Sequence, residues 1–229
     1  MSPEAHAELE ALLERAGVEQ PLRTPLARYG ALVLEANRRF NLTGAKSSEA
    51  LAEHLHDSLT VLPYVEEPYV DVGSGGGFPA IPVAIAAGIP VTMIEATAKK
   101  GRFLEEVLQR LGLRGAVVIA RAEAAAHGEL RERFKSGTAR ALAVAPTVAE
   151  LLLPFVAVGG AAVLQRGRLD DGERRALEDA ALMLGASVER EVPLAGERRI
   201  LVLRKASTTP ARFPRRSGVP EKRPLCTGD

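Results

Sequence analysis

The spacing of hydrophobic and polar positions changes character along the chain. In residues 3–17, apolar side chains recur at helical spacing as far as Gly17, and after a break at residues 21–25 a second amphipathic stretch runs to Phe40. A third helical stretch starts near Ser47. The pattern therefore predicts a small helical region over residues 1–66.

From Tyr69 onward, short β-type runs alternate with helical stretches. The predicted strands are 69–73, 90–95, 115–120, 138–143, 160–165, 187–192 and 199–204. The predicted helices are 79–87, 98–111, 122–134, 147–157 and 171–184. This alternation predicts an α/β fold over residues 67–206, with a mainly parallel seven-stranded sheet covered on both faces. Ligands of such sheets bind beyond the carboxyl ends of the strands, beside the first strand.

The basic residues are concentrated near the C-terminus. The net charge is only +1, but from Arg198 to Leu225 there are nine Lys or Arg and one acid, Glu221. Such an excess is typical of a surface that binds phosphates. Prolines at 210, 214, 220 and 224 exclude a regular helix or a central strand. Residues 207–229 are predicted to form a basic tail or loop that contacts RNA, with a solvated end as the alternative.

Composition limits the location and the chemistry. No apolar run approaches the ~18 to 20 residues that span a bilayer, and the N-terminus resembles neither a secretory signal nor an Arg-rich transit peptide. The single cysteine, Cys226, excludes an intramolecular disulfide. No set of His, Cys and Asp has the spacing of metal ligands. We expect a cytoplasmic protein without a metal and without membrane association.

The stretch from Tyr69 to Pro79 is the candidate cofactor site. Its glycines let the backbone adopt positive φ and approach a ligand closely, and the helix that follows begins with free N–H groups. The pattern Asp71-x-Gly73-x-Gly75-x-Gly77 resembles the first motif of S-adenosylmethionine-dependent methyltransferases. The pattern Gly75-x-Gly77-x-x-Ala80 instead fits the dinucleotide fingerprint, although it starts beyond the apparent end of the strand.

Charged residues at the ends of later strands are the next candidates. A carboxylate at Glu95 would accept hydrogen bonds from both ribose hydroxyls of an adenosine, although it also suits a helix start. Glu123 follows the third strand, where an adenine would lie, and it equally suits the first turn of a helix. Arg140 belongs to an otherwise apolar strand and needs an anionic or ligand partner to offset its burial.

Two pairs of residues have both a structural and a functional interpretation. His54 and Asp57 share one helix face, either as a structural pair or as the rim of a pocket. Lys99 and Lys100 begin a helix, where cations oppose the helix dipole. This position slightly favours contact with RNA over a solvated helix start.

Several motifs occur together in one order. They are Asn41-Leu42-Thr43, His54-x-x-Asp57-Ser58-Leu59, Asp71 to Pro79, Lys99-Lys100, Arg121-Ala122-Glu123, Ala139-Arg140-Ala141 and Pro214-Arg215-Arg216-x-Gly218-x-Pro220. This set resembles the RsmG family of bacterial 16S ribosomal RNA guanine-N7 methyltransferases, once called glucose-inhibited division protein B. The resemblance implies the Rossmann-like fold of a class I methyltransferase, S-adenosylmethionine as the donor, and the guanine at rRNA position 527 as the target.

The resemblance also implies roles by position. The residues implied to bind the cofactor are Asp71, Gly73, Ser74, Gly75, Phe78, Glu95, Ala96, Thr97, Ala122, Glu123 and Arg140. Arg140 is also implied to face the target base. We expect Arg140 and Arg121 to position a phosphate or O6, and Asn41, His54 and Asp57 to shape the base side. Those implied to contact RNA are Lys99, Lys100, Arg215 and Arg216. Ala80 stands where the family usually has glycine, and residues 134–137 lack the usual acidic residue, so the start of the fourth strand is open.

The implied reaction needs no general base. Guanine N7 has an in-plane lone pair and no proton to lose, so we expect catalysis by alignment in a site that excludes water. With Tyr 3, Phe 6 and Trp 0, stacking platforms for bases are scarce. Recognition would depend on the basic tail and on the shape of the rRNA, either naked or within a small-subunit particle, and we expect a monomer.

The alternative functions are a nicotinamide-dependent oxidoreductase and a non-catalytic rRNA-binding protein. Methylation of a small molecule is disfavoured by the Arg-rich tail.

Overall fold

The computed structural model describes residues 3–140 and 142–226. Three helices come first: α1 Pro3–Arg15, α2 Gln20–Arg39 and α3 Ser48–Leu59. Because α2 begins at Gln20 and continues through Pro25, the predicted break at residues 21–25 is wrong. Pro21 lies in the first turn, where its missing N–H would have no helical partner. Packing of the buried face of α2 against α1 and α3 offsets the hydrogen bond that Pro25 removes.

Seven strands form one sheet within the described residues. They are β1 Tyr69–Val72, β2 Val91–Glu95, β3 Gly115–Ile119, β4 Phe134–Arg140, β5 Val156–Arg166, β6 Ala186–Pro193 and β7 Arg199–Lys205. The strand order is β3-β2-β1-β4-β5-β7-β6, and β7 runs antiparallel to both of its neighbours while the other pairs are parallel. The order reverses beside β1, so a crevice opens at its carboxyl end.

The helices that cross between strands cover both faces of the sheet. They are α4 Ala80–Ala87, α5 Ala98–Leu111, α6 Ala122–Ala125, α7 Ala145–Leu152 and α8 Asp171–Met183. One buried cluster joins α1–α5 to one face and includes Tyr29, Ile81 and Leu104. A second cluster joins α7 and α8 to the other face and includes Phe155 and Leu177. None of the described helices is both long enough and apolar enough to cross a membrane.

Three predicted elements differ from the observed ones around β4. Helix α6 ends at Ala125, not at 134, and turns lead into β4 at Phe134, four residues before its predicted start. The early part of β4 is held by Ser136, whose hydroxyl donates to Glu66 O at 2.6 Å and accepts from the Glu66 amide at 2.9 Å. Helix α7 ends at Leu152 because Pro154 cannot continue it. Ala141, in the predicted fourth strand, lies outside the described residues.

The predicted C-terminal tail is packed against the sheet domain as far as Cys226. It contains one helical turn, α9 Val219–Lys222, so the prediction that it could not be helical is wrong. Pro220 is compatible with this turn because it lies near the helix start, where N–H groups lack helical partners. The guanidinium of Arg131 donates to the carbonyls of Thr209 and Phe213 at 2.7 and 2.9 Å. Residues 227–229 lie outside the described part of the chain.

Candidate active site

The glycine loop follows β1 and leads directly into α4. Gly73 and Gly77 have φ of +73° and +97°, which disfavours any residue with a side chain. A Cβ at Gly73 would lie 2.5 Å from a methyl carbon of Leu142, and one at Gly77 would lie 2.8 Å from the hydroxyl of Tyr29. Tyr29 donates to the Gly76 carbonyl at 2.5 Å. The loop is therefore braced by α2 on one side and approached by the segment after β4 on the other.

Asp71 lies beneath the loop with only 1% of its surface exposed. Thr138 Oγ1 donates to its Oδ1 at 2.5 Å, and the hydroxyl of Tyr69 lies 2.6 Å from Thr138 Oγ1. Oδ2 is buried and has no partner among the described residues. Burial raises the pKa of Asp71 from 3.8 to about 7, against the hydrogen bond from Thr138. Oδ2 is thus a buried acceptor beneath the loop that lacks a donor from the described part of the protein.

Glu95 ends β2 beside the loop, as predicted from the sequence. The amide of Gly75 donates to its Oε2 at 2.8 Å, and the amide of Thr97 donates to its Oε1 at 2.7 Å. Each carboxylate oxygen keeps a further lone pair for a ligand hydroxyl. The carboxylate is thus both oriented and available at the position where a ribose would lie.

Glu123 is buried at the start of α6 and is engaged by the C-terminal segment. The Gly218 amide donates to Glu123 Oε1 at 2.7 Å, and Arg121 Nη2 lies 3.2 Å from the same oxygen. Burial by itself would raise the pKa of Glu123, but hydrogen bonds from Gly218 and Arg121 outweigh it and hold the pKa below its usual value. Arg121 faces Glu123 and Glu221, so its charge is balanced locally.

Arg140, the last residue of β4, connects the loop to α3. Its guanidinium carbon lies 5.0 Å from the centre of the Phe78 ring, and Nη1 lies 3.6 Å from Asp57 Oδ2. The other oxygen of Asp57 contacts Arg198 Nη1 at 3.0 Å. His54 Nδ1 lies 3.5 Å from Arg140 Nη2, and burial, then Arg140, lower the pKa of His54. His54 is therefore neutral near pH 7.

Three adjoining cavities meet around these residues. The loop cavity, about 440 Å³, lies between Gly73, Phe78, Glu95 and Lys100. A smaller cavity of about 180 Å³ lies beside Ala122 and Glu123. The Arg140 cavity, about 560 Å³, lies on the other side of Arg140 between α3 and the end of β5. Arg140 lines both the loop cavity and the Arg140 cavity.

Some predicted residues lie away from this centre. Asn41 is exposed and lines a separate cavity with Asn37 and residues of α1. Lys99 Nζ lies 4.6 Å from the centre of the Phe40 ring, at the outer rim. Arg215 contacts the buried carboxylate of Glu150 at 2.6 Å, whereas Arg216 is exposed.

Three residues of the site had no place in the sequence prediction. Leu142 approaches Gly73, Arg198 pairs with Asp57, and Gln165 lines the Arg140 cavity. Gln165 carries a sequence signal, because it is a polar residue at the end of the apolar run 161–164. Arg198 carries none, since it is one of several arginines in a basic stretch.

The glycine loop, the oriented carboxylate of Glu95 and the mainly parallel sheet with an antiparallel β7 define a class I methyltransferase. An O-methyltransferase from Bacillus cereus in complex with SAH has the same fold, with a TM-score of 0.58 and 20% identity over 78% of this chain and 91% of that one. The chain belongs to the GidB family, rRNA small subunit methyltransferase G, whose family model matches residues 23–202.

Relatives match over most of their length. Ribosomal RNA small subunit methyltransferase G of Rubrobacter xylanophilus is 42% identical, over 86% of this chain and 82% of that protein. The corresponding protein of Deinococcus deserti is 37% identical over 98% of each chain. Family membership confirms the predicted fold class and the predicted enzyme class, a methyltransferase with S-adenosylmethionine as its cofactor.

Proposed function

We propose that this chain transfers a methyl group from S-adenosylmethionine to N7 of a guanine in 16S rRNA, at position 527 by family resemblance. The relatives named above are small-subunit rRNA methyltransferases. The substrate is 16S rRNA, naked or in a small-subunit particle, and the enzyme acts as a monomer in the cytoplasm. The observation that carries the proposal is the position of Arg140, which lines both the loop cavity and the larger cavity beside it.

The residues of the loop cavity and its smaller neighbour fit the donor. Gly73 and Gly75 line the loop cavity on the side proposed for its methionine part. Asp71 lies buried beneath the loop, and its unpartnered Oδ2 is proposed for the amino group. The free lone pairs of Glu95 suit its ribose hydroxyls, with Ala96 and Thr97 alongside. Ser74 and Phe78 complete the loop wall, and Ala122 and Glu123 flank the cavity where the adenine would lie. When bound, the donor supplies an electrophilic methyl group on a sulfonium.

The side chains around Arg140 then have to orient the base, because N7 needs no proton removed. Asp57 balances part of the charge of Arg140, which limits repulsion with the positive charge that the methylated base gains. Neutral His54 adds no further charge at this position. Arg140 positions O6 or a phosphate of the target nucleotide, and the half-buried side chains around it exclude water. Arg121 lines the smaller cavity, and from there it is proposed to contact a phosphate of the same nucleotide.

The surface around the cavities suits RNA. Lys99 and Arg216 are exposed and Lys100 lines the loop cavity. Arg215 is also proposed as an RNA contact, although its ion pair with Glu150 leaves it less free than Arg216. Exposed cations of this kind neutralise phosphates and bind more weakly as salt rises.

The test is to map the methylated nucleotide. Purified protein is incubated with isotopically labelled S-adenosylmethionine and with unmodified 16S rRNA or assembled small subunits, and 7-methylguanosine is located by chemical cleavage at the modified base. We expect one labelled guanine, and at least an about 100-fold lower rate for Arg140→Ala with an unchanged circular dichroism spectrum. Arg110→Ala, on the exposed end of α5, is the control and should keep the wild-type rate. Label at another atom or another nucleotide, or full activity of Arg140→Ala, would contradict the proposal.

A further inference from the structure

Gln165 is a polar residue in the wall of the Arg140 cavity. It lies near the end of β5, directly opposite Arg140 in the parallel register of β4 and β5. Only 3% of its surface is exposed, and it lines the cavity together with Arg140 and Asp57. The four residues before it, 161–164, are apolar and buried. A buried amide at this point needs a reason, because each of its polar atoms requires a partner.

The amide nitrogen of Gln165 has hydrogen-bond partners, whereas the amide oxygen has none within the described chain. Nε2 donates to the carbonyl of Asp57 at 2.7 Å and to Thr60 Oγ1 at 3.2 Å. A backbone carbonyl can only accept, so the atom facing it must be the nitrogen, and the orientation of the amide is defined. Oε1 is buried and has no hydrogen-bond partner among the described residues. Gln165 is therefore held rigidly in this part of the cavity wall, and its Oε1 is a buried acceptor without a donor from those residues.

The acceptor atoms of Asp57, which also lines this cavity, already have partners within the protein. Both oxygens of Asp57 contact arginines, Oδ2 with Arg140 and Oδ1 with Arg198. The carbonyl of Asp57 receives the Thr60 hydroxyl at 2.6 Å as well as Gln165. Glu53 also lines the cavity, but it is exposed on the rim. Among the described side chains that line the cavity, Gln165 thus has the buried oxygen that lacks a hydrogen-bond donor.

The proposed reaction orients the base toward this acceptor, so the inference rests on the proposed function. For N7 to face the loop cavity, the imidazole edge of the purine must point toward Gly73, and the opposite edge must point away from it. Gly73, Arg140 and Gln165 come at the ends of successive strands, and two strand spacings amount to about 10 Å. The edge of guanine opposite N7 carries the 2-amino group, a donor that adenine lacks at that carbon.

We propose that Gln165 is a specificity-determining residue, whose Oε1 accepts a hydrogen bond from the 2-amino group of the target guanine. The guanine amine would satisfy the buried carbonyl, whereas adenine would leave it unpaired. A site that is built to pair with a polar group rejects an analogue without it more strongly than an apolar pocket does. Gln165 thus contributes to the choice of guanine without taking part in methyl transfer.

The test uses inosine, which is guanine without the 2-amino group and keeps N7 unchanged. A synthetic rRNA fragment carries guanine or inosine at the target position, and kcat/KM is measured for both. We expect the wild-type enzyme to prefer guanine by about 10-fold, the effect of one hydrogen bond. In Gln165→Leu the preference should fall to about 2-fold or less. Gln109→Leu, the same substitution on the exposed face of α5, should keep the wild-type preference.

The outcomes separate this inference from the proposed function. Absence of methylation on the guanine fragment, on whole 16S rRNA and on assembled small subunits would contradict the proposed function. Methylation of guanine and inosine at equal rates by the wild-type enzyme would overturn the role of Gln165 alone, and this measurement does not depend on the variant folding. An unchanged preference in a folded Gln165→Leu would overturn it as well. Binding of the two fragments by fluorescence anisotropy shows whether the discrimination arises in affinity or in the rate.

Discussion

At the scale of single residues, the buried carboxyl of Asp71 links the site to the stability of the chain. Its pKa of about 7 in the folded chain lies above the usual 3.8, so the folded state holds a proton that the unfolded state releases. The free energy of unfolding therefore falls as pH rises from about 4 to about 7 and stays low above that. The full difference corresponds to about 4 kcal/mol, an order-of-magnitude figure.

Asp71→Asn should remove this dependence, because an amide does not titrate. Thr138 can still donate to the side-chain oxygen, so we expect unfolding free energies within about 1 kcal/mol of wild type at pH 4, and a variant more stable by about 2 to 4 kcal/mol at pH 8. Urea unfolding of the ligand-free protein at the two pH values measures both quantities. Asp179→Asn, at an exposed position in α8, should follow the wild-type curve. Parallel pH profiles for wild type and Asp71→Asn would show that Asp71 is ionised in the folded chain.

Site residues could be predicted where the local sequence determines their place. The glycine loop and Glu95 lie at the ends of strands whose apolar runs are visible, and the topology of a parallel sheet brings those ends together. Arg140 was predicted inside a strand over 138–143, whereas it is the last residue of β4. Asn41 and Arg215 lie in loops, where the position of a side chain depends on distant elements. Gln165 and Arg198 face the site only because α3 packs across the ends of β4 and β5, a contact that no local pattern records.

At the scale of elements, the C-terminal segment, residues 207–226, has an inner and an outer face. Arg215 faces inward, where its amide and guanidinium both bind Glu150, a carboxylate with 0% exposure. Gly218 binds Glu123 beside the smaller cavity. Arg212, Arg216 and Lys222 are exposed on the outer face. The basic composition of this segment thus combines two roles, one in packing and one at the surface.

Alanine at the two neighbouring arginines should separate these roles. Arg215→Ala leaves the buried charge of Glu150 with only a backbone amide, so we expect the free energy of unfolding to fall by about 2 to 4 kcal/mol. Arg216→Ala should change it by at most about 0.5 kcal/mol. It should instead weaken rRNA binding and reduce the slope of log affinity against log salt by about 1. Denaturant unfolding and salt-dependent filter binding measure the two effects. Equal loss of stability in both variants would contradict the division into two faces.

The secondary structure was predictable where periodicity extended over a whole element. Helices α4 and α5 and strands β2 and β3 lie within one residue of their predicted bounds. The errors fall where tertiary contacts outweigh the local pattern. Residues 126–133 carry helical spacing but form turns, and residues 134–137 lack a β-type run yet pair with β1 and β5. The prolines of the C-terminal segment led to the prediction of a tail. The segment instead packs against the domain because Arg131 and Glu150 bind it, and its own sequence does not indicate these distant partners.

At the scale of the whole molecule, the glycine loop is joined to both cores of the protein. On one side Tyr29, from the N-terminal helices, is buried and binds the Gly76 carbonyl. On the other side Leu142 and Thr147 line the smaller cavity, and Thr147 donates to the Pro220 carbonyl at 2.8 Å. A ligand held by the loop, by Glu95 and by Glu123 therefore contacts residues from both faces of the sheet. Its binding should stabilise the chain as one unit rather than one element alone.

Thermal unfolding with the demethylated product, S-adenosylhomocysteine, tests this expectation and the choice of cofactor together. A ligand at 100 times its dissociation constant stabilises the folded state by about 2.7 kcal/mol, which for a chain of this size raises Tm by about 5 to 10 °C. We expect a single transition shifted by that amount.

Glu95→Ala should lose most of the shift in Tm, because it removes the oriented acceptor for the ribose, whereas Glu105→Ala on the exposed face of α5 should keep the shift. NAD should leave Tm unchanged, since the dinucleotide pattern Gly75-x-Gly77-x-x-Ala80 starts three residues beyond the end of β1 at Val72. A shift with NAD and none with S-adenosylhomocysteine would favour the dinucleotide interpretation of the glycine loop and contradict the assignment of the donor.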